Sequence, residues 1–283
     1  MSKGTRPSDR GSACAELGFT IPCDGLRLRA KSITPPGTAL TGPGPSLVFL
    51  HEGLGSIGQW RGFPLALAQA TGLPALVYDR AGYGKSDDPR DPPDPSYLER
   101  EAWERLPRVL SACGIEAPIL VGHSDGASIA LLYASSGPGA LLGVVAEAAH
   151  VFVEDLTIQG IWRTLHAFET TSLRERLKAH HGDRVDQVFR RWSDLWLSPA
   201  FRPWTMIHHL PGIRCPVLAI QGADDEYGTP DQIAAITQGV SGPVQGMVLG
   251  GCAHVPHLQA KERVLAEITR FVEGIRGQEQ GRV

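Results

Sequence analysis

The chain has 283 residues, of which 42% are hydrophobic; 27 basic against 30 acidic side chains give a formal net charge of −3. That apolar share supports a full core and excludes a wholly disordered chain, while a charge so close to neutral excludes holding nucleic acid or an anionic bilayer by bulk electrostatics. The 33 glycines and 22 prolines, about 12% and 8% against ordinary usage of about 7% and 5%, suit many short elements joined by turns and not a helical bundle. No stretch approaches the roughly 20 apolar residues that span a bilayer. The opening MSKGTRPSDRGSACAELG has basic residues but no apolar segment, so no signal peptide is expected. Cys14, Cys23, Cys113, Cys215 and Cys252 are scattered and form no C-x-x-C pair, which predicts neither a disulfide scaffold nor a structural zinc site and points to a reducing cytoplasm.

In chain order, residues 26–33 alternate as an early strand, TPPGTALTGPGP reads as a turn, and SLVFLH (46–51) is a short apolar run. Similar runs recur at 75–78, 119–123, 142–147, 217–221 and 244–249. Each has strand length and is mostly apolar on both faces, as in a parallel sheet covered on both sides. Helix-length segments fall between them at 60–71, 97–113, 127–136, 230–239 and 263–274. Such alternation predicts an α/β fold. The polar ends, 1–15 and 276–283, are expected to be loose.

Residues 151–210 break the rhythm. They read as helical, contain no good strand, and hold Trp162, Trp192, Trp196 and Trp204 with Phe152, Phe168, Phe189 and Phe201. Sixty residues exceed an ordinary connection between two strands. A helical cap over 151–210 is therefore expected, dividing the core into 1–150 and 211–283.

The strongest local signal is Gly122-His123-Ser124-Asp125-Gly126, which follows the apolar ILV and leads into ASIALLYAS. A G-x-S-x-G between strand and helix is a nucleophile elbow: the sharp turn lifts the Ser124 hydroxyl clear, and the two glycines let strand and helix approach closely. The helix N-terminus adds partial positive charge where negative charge would develop. With HEGLGS at 51–56, YDRAGYGKSD at 78–87, and the QGADDEYGTP and GGCAHVPH blocks near the C-terminus, the chain over roughly 20–275 resembles the α/β-hydrolase superfamily, in its capped single-domain form. The resemblance implies an eight-stranded, mostly parallel sheet with the cap between strands six and seven.

A serine nucleophile needs a base within hydrogen-bond reach, itself oriented by a third group. In this fold the order is Ser, acid, His. Ten histidines compete, and His254, just past VQGMVLGGCA, matches the family's G-x-x-H block; His257 is the alternative. His180, His181, His208 and His209 fall in the expected cap and read as solvated surface. Three adjacent carboxylates follow the strand VLAIQ, and not all can be desolvated cheaply. The family's G-x-x-D pattern selects Asp225, with Asp224 second and Glu147 as a displaced acid.

The resemblance also implies two backbone donors for the oxyanion, Asp125 and Gly53, with Leu54 as the fallback. Glu52 stands where the family usually has Gly. The side chains of Glu52 and Asp125 either touch a cationic or hydroxylated substrate or, as preferred, pair with Arg or water. Asp79 and Arg80 read as structural ion pairing. No metal-ligand cluster, phosphate loop or dinucleotide fingerprint is present, so neither metal nor cofactor is expected. The resulting expectation is a serine hydrolase acting on a small-molecule apolar acyl substrate, by default a carboxylic ester. Trp192, Trp196 and Phe189, spaced to share a helix face, are expected to line its pocket. Thioesterase, amidase or C–C bond hydrolase chemistry would use the same triad, although the C–C hydrolases usually carry Asn where His123 stands. A non-catalytic receptor of the same fold is the alternative from another class.

Overall fold

The computed structural model describes residues 13–89 and 94–280. Eight strands form one sheet: β1 (Ala15–Cys23), β2 (Leu26–Thr34), β3 (Gly42–Leu50), β4 (Ala75–Tyr78), β5 (Ile115–His123), β6 (Gly143–Glu147), β7 (Val217–Gly222) and β8 (Val244–Leu249). Their spatial order is β1-β2-β4-β3-β5-β6-β7-β8. β1 pairs antiparallel with β2, and β2 with β4; the remaining pairings are all parallel. The sheet is thus the mostly parallel, eight-stranded one that the sequence implies.

Strand alternation divides the core into two layers. Leu47, Phe49, Val77, Val121, Val145 and Ile220 face one side and pack with α1 (Phe63–Thr71). Val48, Leu50, Leu76, Leu120, Val144 and Ala219 face the other. Successive side chains of a strand point to opposite faces, so a strand covered on both sides must be apolar throughout.

Two expectations change at the chain's ends. β1 lies in a segment with no expected strand, and residue 15 begins it although 1–15 is read as loose. It closes onto β2 through Asp24-Gly25, both at positive φ (55° and 75°). An Asp-Gly pair supports this two-residue hairpin turn because both positions need left-handed backbone. Residues 1–12 and 281–283 lie outside the described residues, but 276–280 continue the last helix.

The expected helix over 97–113 is present with a defect: α2 (Tyr97–Arg100) passes through a π-helical stretch, Glu101–Arg105, into α3 (Leu106–Ala112). Pro107 cannot donate to the carbonyl four residues back, and its ring crowds that carbonyl, so the ladder widens there. α4 (Asp125–Ser135) follows β5 directly.

Between β6 and β7 lie α5 (Asp155–Thr170), α6 (Leu173–His181) and α7 (Val185–Trp196). The two ends of this insertion meet: Phe152 bridges Thr205, and the Met206 N–H donates to the Val151 carbonyl at 2.8 Å. The chain thus leaves and rejoins the sheet at one place. It closes with α8 (Asp231–Gly239), the short α9 (Pro256–Gln259) and α10 (Lys261–Gln280). No helix among the described residues is long and apolar enough to cross a membrane.

Candidate active site

Ser124 occupies the joint between β5 and α4 with φ 53° and ψ −119°. A non-glycine residue held there costs on the order of 1–3 kcal/mol, which the surroundings must enforce. They do so by proximity. A Cβ at Gly122 would collide with the Gly126 backbone, and one at Gly126 with the carbonyl of Leu50. The Ser124 N–H donates to the Glu147 carbonyl at 2.8 Å, fixing the turn to β6. Asp125 opens α4, so its own N–H has no intrahelical acceptor.

His254 follows β8 and directs Nδ1 at both Asp225 carboxylate oxygens, at 2.9 and 3.0 Å. Asp225 also accepts from the Tyr227 N–H at 2.9 Å and from Gln221 Nε2 at 3.3 Å. Burial alone would push its carboxyl up, but the charge and hydrogen bond of His254 and the Tyr227 N–H hold it below its ordinary value. With Nδ1–H committed to Asp225, the other ring nitrogen of His254 is left as the acceptor.

The residues considered as alternatives sit elsewhere. His257 directs Nδ1, at 3.0 Å, and its backbone N–H, at 3.1 Å, to one oxygen of Glu147. Both are buried, Glu147 completely. The two alternatives therefore pair with each other, and neither borders the cleft that contains Ser124 and His254. Asp224 is exposed.

Ser124, His254, Gly53, Leu54 and Asp125 border one cleft of about 430 Å³. The Asp125 carboxylate accepts from Tyr97 OH at 2.8 Å and from Arg80 Nη2 at 3.4 Å. Arg80 also donates to the Glu52 carbonyl at 3.0 Å, and its backbone N–H to His51 Nε2 at 2.9 Å. Asp79 does not pair with Arg80. It accepts the N–H groups of Ile57 and Lys85 at 2.7 and 2.8 Å, so each side chain ties loops together separately. Glu52 reaches His123 Nδ1 at 3.5 Å, a partner other than the expected Arg or water.

The insertion completes the cleft. Trp192 and Trp196 line it with Thr157 and Ile161 of α5, and His150 and Tyr227 join them from the flanking loops. Gly53 leaves the space that the Trp192 indole fills. Phe189 does not reach the cleft. It is 1% exposed and stacks on Phe168 at 3.8 Å, in a small core with Leu177 and Val185. One helix face bears all three aromatics, but a helix resting on its own neighbours as well as on the sheet divides that face between the two.

His181 likewise departs from the solvated surface expected of it. It is buried, accepts from the Gly84 N–H at 3.0 Å, and donates from Nε2 to the Leu54 carbonyl at 2.9 Å, linking α6 to the loops that carry Gly84 and Leu54. Tyr227, two residues beyond Asp225, places its ring 4.6 Å from that of His254. Thr157 donates to the Tyr227 carbonyl at 2.6 Å, which fastens α5 to the loop that carries Asp225. Thr157 and Ile161 are four apart on α5, a spacing visible in the sequence, yet nothing there says which face meets Ser124. Among the described residues, no group of three or more His, Cys, Asp or Glu side chains is placed to hold a metal ion.

The profile of the alpha/beta hydrolase family matches residues 47–267. The chain is 34% identical over 125 residues to epoxide hydrolase B of Mycobacterium tuberculosis, covering 44% of this chain and 33% of that one. It is 30% identical over 157 residues to the human serine hydrolase BPHL, covering 53% of each. The matched segments thus span from a third to about half the length of these curated relatives. Among solved structures, the meta-cleavage product hydrolase of Pseudomonas fluorescens superposes with a TM-score of 0.69 at 17% identity, over 91% of this chain and 98% of that one; it is similar in fold.

Proposed function

The chain belongs to the alpha/beta hydrolase family, and from that premise we propose that it is a hydrolase that cleaves a small carboxylic ester through Ser124, His254 and Asp225. The observation that carries the reading is the shared cleft. Ser124 stands on a strained elbow facing the same space as His254, whose Nδ1 is engaged by buried Asp225. Ser124 attacks the acyl carbon while His254 takes its proton. Asp225 keeps the ring in the productive tautomer and stabilises the imidazolium. The N–H groups of Gly53 and Asp125 receive the oxyanion. His254 returns the proton to the leaving alcohol, then activates the water that clears the acyl-enzyme.

Residues 151–210 act as a cap over this site, and Trp192, Trp196, Ile161 and Leu54 favour a small apolar acyl or alcohol group. The chemistry of position 124 argues against epoxide opening, despite the relative of that name. A carboxylate nucleophile gives an ester intermediate that water can cleave, whereas a serine oxygen would give an inert ether. A panel of p-nitrophenyl esters, thioesters and anilides tests the reading, with Ser124→Ala as control. Esters are expected to be turned over fastest and the variant to lose about 10⁶-fold. A variant retaining a tenth of the activity contradicts the assignment.

A further inference from the structure

His123 touches three parts of the machinery at once. It directly precedes Ser124 in the chain. Its Nε2 lies 2.7 Å from the carbonyl of His254, an atom that can only accept, so Nε2 carries a proton. Its buried Nδ1 faces the Glu52 carboxylate at 3.5 Å, an ion-pair distance, and has no hydrogen-bond partner. With Nε2 already protonated, a neutral ring would turn a lone pair toward that carboxylate; the doubly protonated ring turns an N–H instead. Glu52 itself directly precedes Gly53. Its side chain folds back over Gly55, where an added Cβ would collide with the carboxylate, so the short loop has the shape that brings Glu52 to His123.

We propose that Glu52 and His123 are a positioning pair. Carboxylate and imidazolium hold the His254 carbonyl and the Gly53 loop in place around Ser124, and they keep the net charge beside the oxyanion site at zero. The proposal rests on the Ser124–His254–Asp225 reading. The pair's electrostatic surroundings agree with it. Burial pushes His123 down, but Glu52 beside it and Glu147 beyond raise it overall. Burial pushes Glu52 up, but His123 and His51 bring it down to about 2. The other groups facing His123 are the rings of His254 at 5.1 Å, His257 at 5.0 Å and Trp60 at 6.3 Å.

The departure from glycine at position 52 therefore has a consequence for the chemistry. An uncompensated carboxylate there would oppose the negative charge that develops in the transition state. It would also favour the charged form of His254, the form that cannot act as base.

A double-variant cycle tests the pair. His123→Gln keeps an N–H for the His254 carbonyl but removes the positive charge. kcat is expected to fall about 100-fold with KM within about twofold, and the acid limb of the rate profile should move to higher pH. Glu52→Gln alone should cost about tenfold. Combining the two should recover about tenfold over His123→Gln alone, since removing both charges restores neutrality. If His123→Gln is too unstable to assay, the recovery is read in folding itself, by circular dichroism and resistance to proteolysis, and a double variant no better folded than the single overturns the pair. Purely multiplicative losses, or a His123→Gln profile matching the parent, also overturn it. Ser124→Ala is assayed alongside. Residual turnover there sinks the reading of the site, whereas an inactive Ser124→Ala with multiplicative losses sinks the pair alone.

Discussion

His254 and His257 stand three residues apart, and each directs Nδ1 at a carboxylate about 3 Å away, yet they belong to different environments. His254 is at the edge of a cleft with Ser124 in it, and Asp225 gathers further donors from Tyr227 and Gln221. His257 is 2% exposed, lies 4.6 Å from the Trp60 ring and 5.5 Å from Phe63, and points at a fully enclosed Glu147. A histidine–carboxylate hydrogen bond therefore does not define a catalytic pair. Access to a nucleophile and to water does, and here the open pair is suited to moving protons while the enclosed pair holds the end of β6 to α9.

The largest expected effect breaks the open pair. His254→Ala should lower kcat/KM by about 10⁶, and Asp225→Asn by about 10⁴ because the ring is left in the wrong tautomer. His257→Ala should act on stability. Leaving buried Glu147 with only the backbone N–H of residue 257 as its partner should cost about 1–3 kcal/mol in chemical denaturation, with turnover of the folded protein within about tenfold of the parent. Reversed ranking of the two histidines in rate would make the enclosed pair the working one.

A second contrast lies within the insertion. Phe189→Ala should destabilise by about 3–5 kcal/mol, because it opens a cavity beneath α7. Trp192→Ala should instead reduce kcat/KM for a hexanoate or benzoate ester about tenfold more than for an acetate, because remote binding energy contributes to the larger substrates. Parallel losses on all three esters would make Trp192 core as well.

The smallest effect is on acid stability. Burial lowers His51 to about 3 and lowers His150 and His181 as well, each from an ordinary 6.5. The unfolded chain then binds more protons than the native one below about pH 6.5, so stability should fall as pH drops from there toward 3. His123 has the opposite sign, its raised value giving stability that is lost as pH rises. Melting scans should show a decline of a few degrees per pH unit below about 6.5, roughly 2–4 °C for each kcal/mol. A flat profile would mean that these rings are not held neutral.

The elbow is legible in the chain because close backbone approach requires Gly122 and Gly126, and the loops that carry Asp225 and His254 because each follows an apolar strand; the choice of those two residues within their loops comes from the family resemblance. β1 is less so: AELGFTIPC is partly polar, and its only sharp signal is Asp24-Gly25. The partners of Glu52, His123 and His181 come from strands and loops far apart in the chain and brought together only by the sheet order. Phe189 shows the same limit, since helical spacing defines a face but not its neighbour.

The assignment of the open pair is tested most directly by the site of covalent capture. After treatment with a fluorophosphonate ester at neutral pH, mass spectrometry should find one adduct, on the peptide containing Ser124. The adduct should be absent in Ser124→Ala, strongly slowed in His254→Ala, and formed at nearly the parent rate in His257→Ala. An adduct on another residue, or undiminished labelling of His254→Ala, would contradict the account.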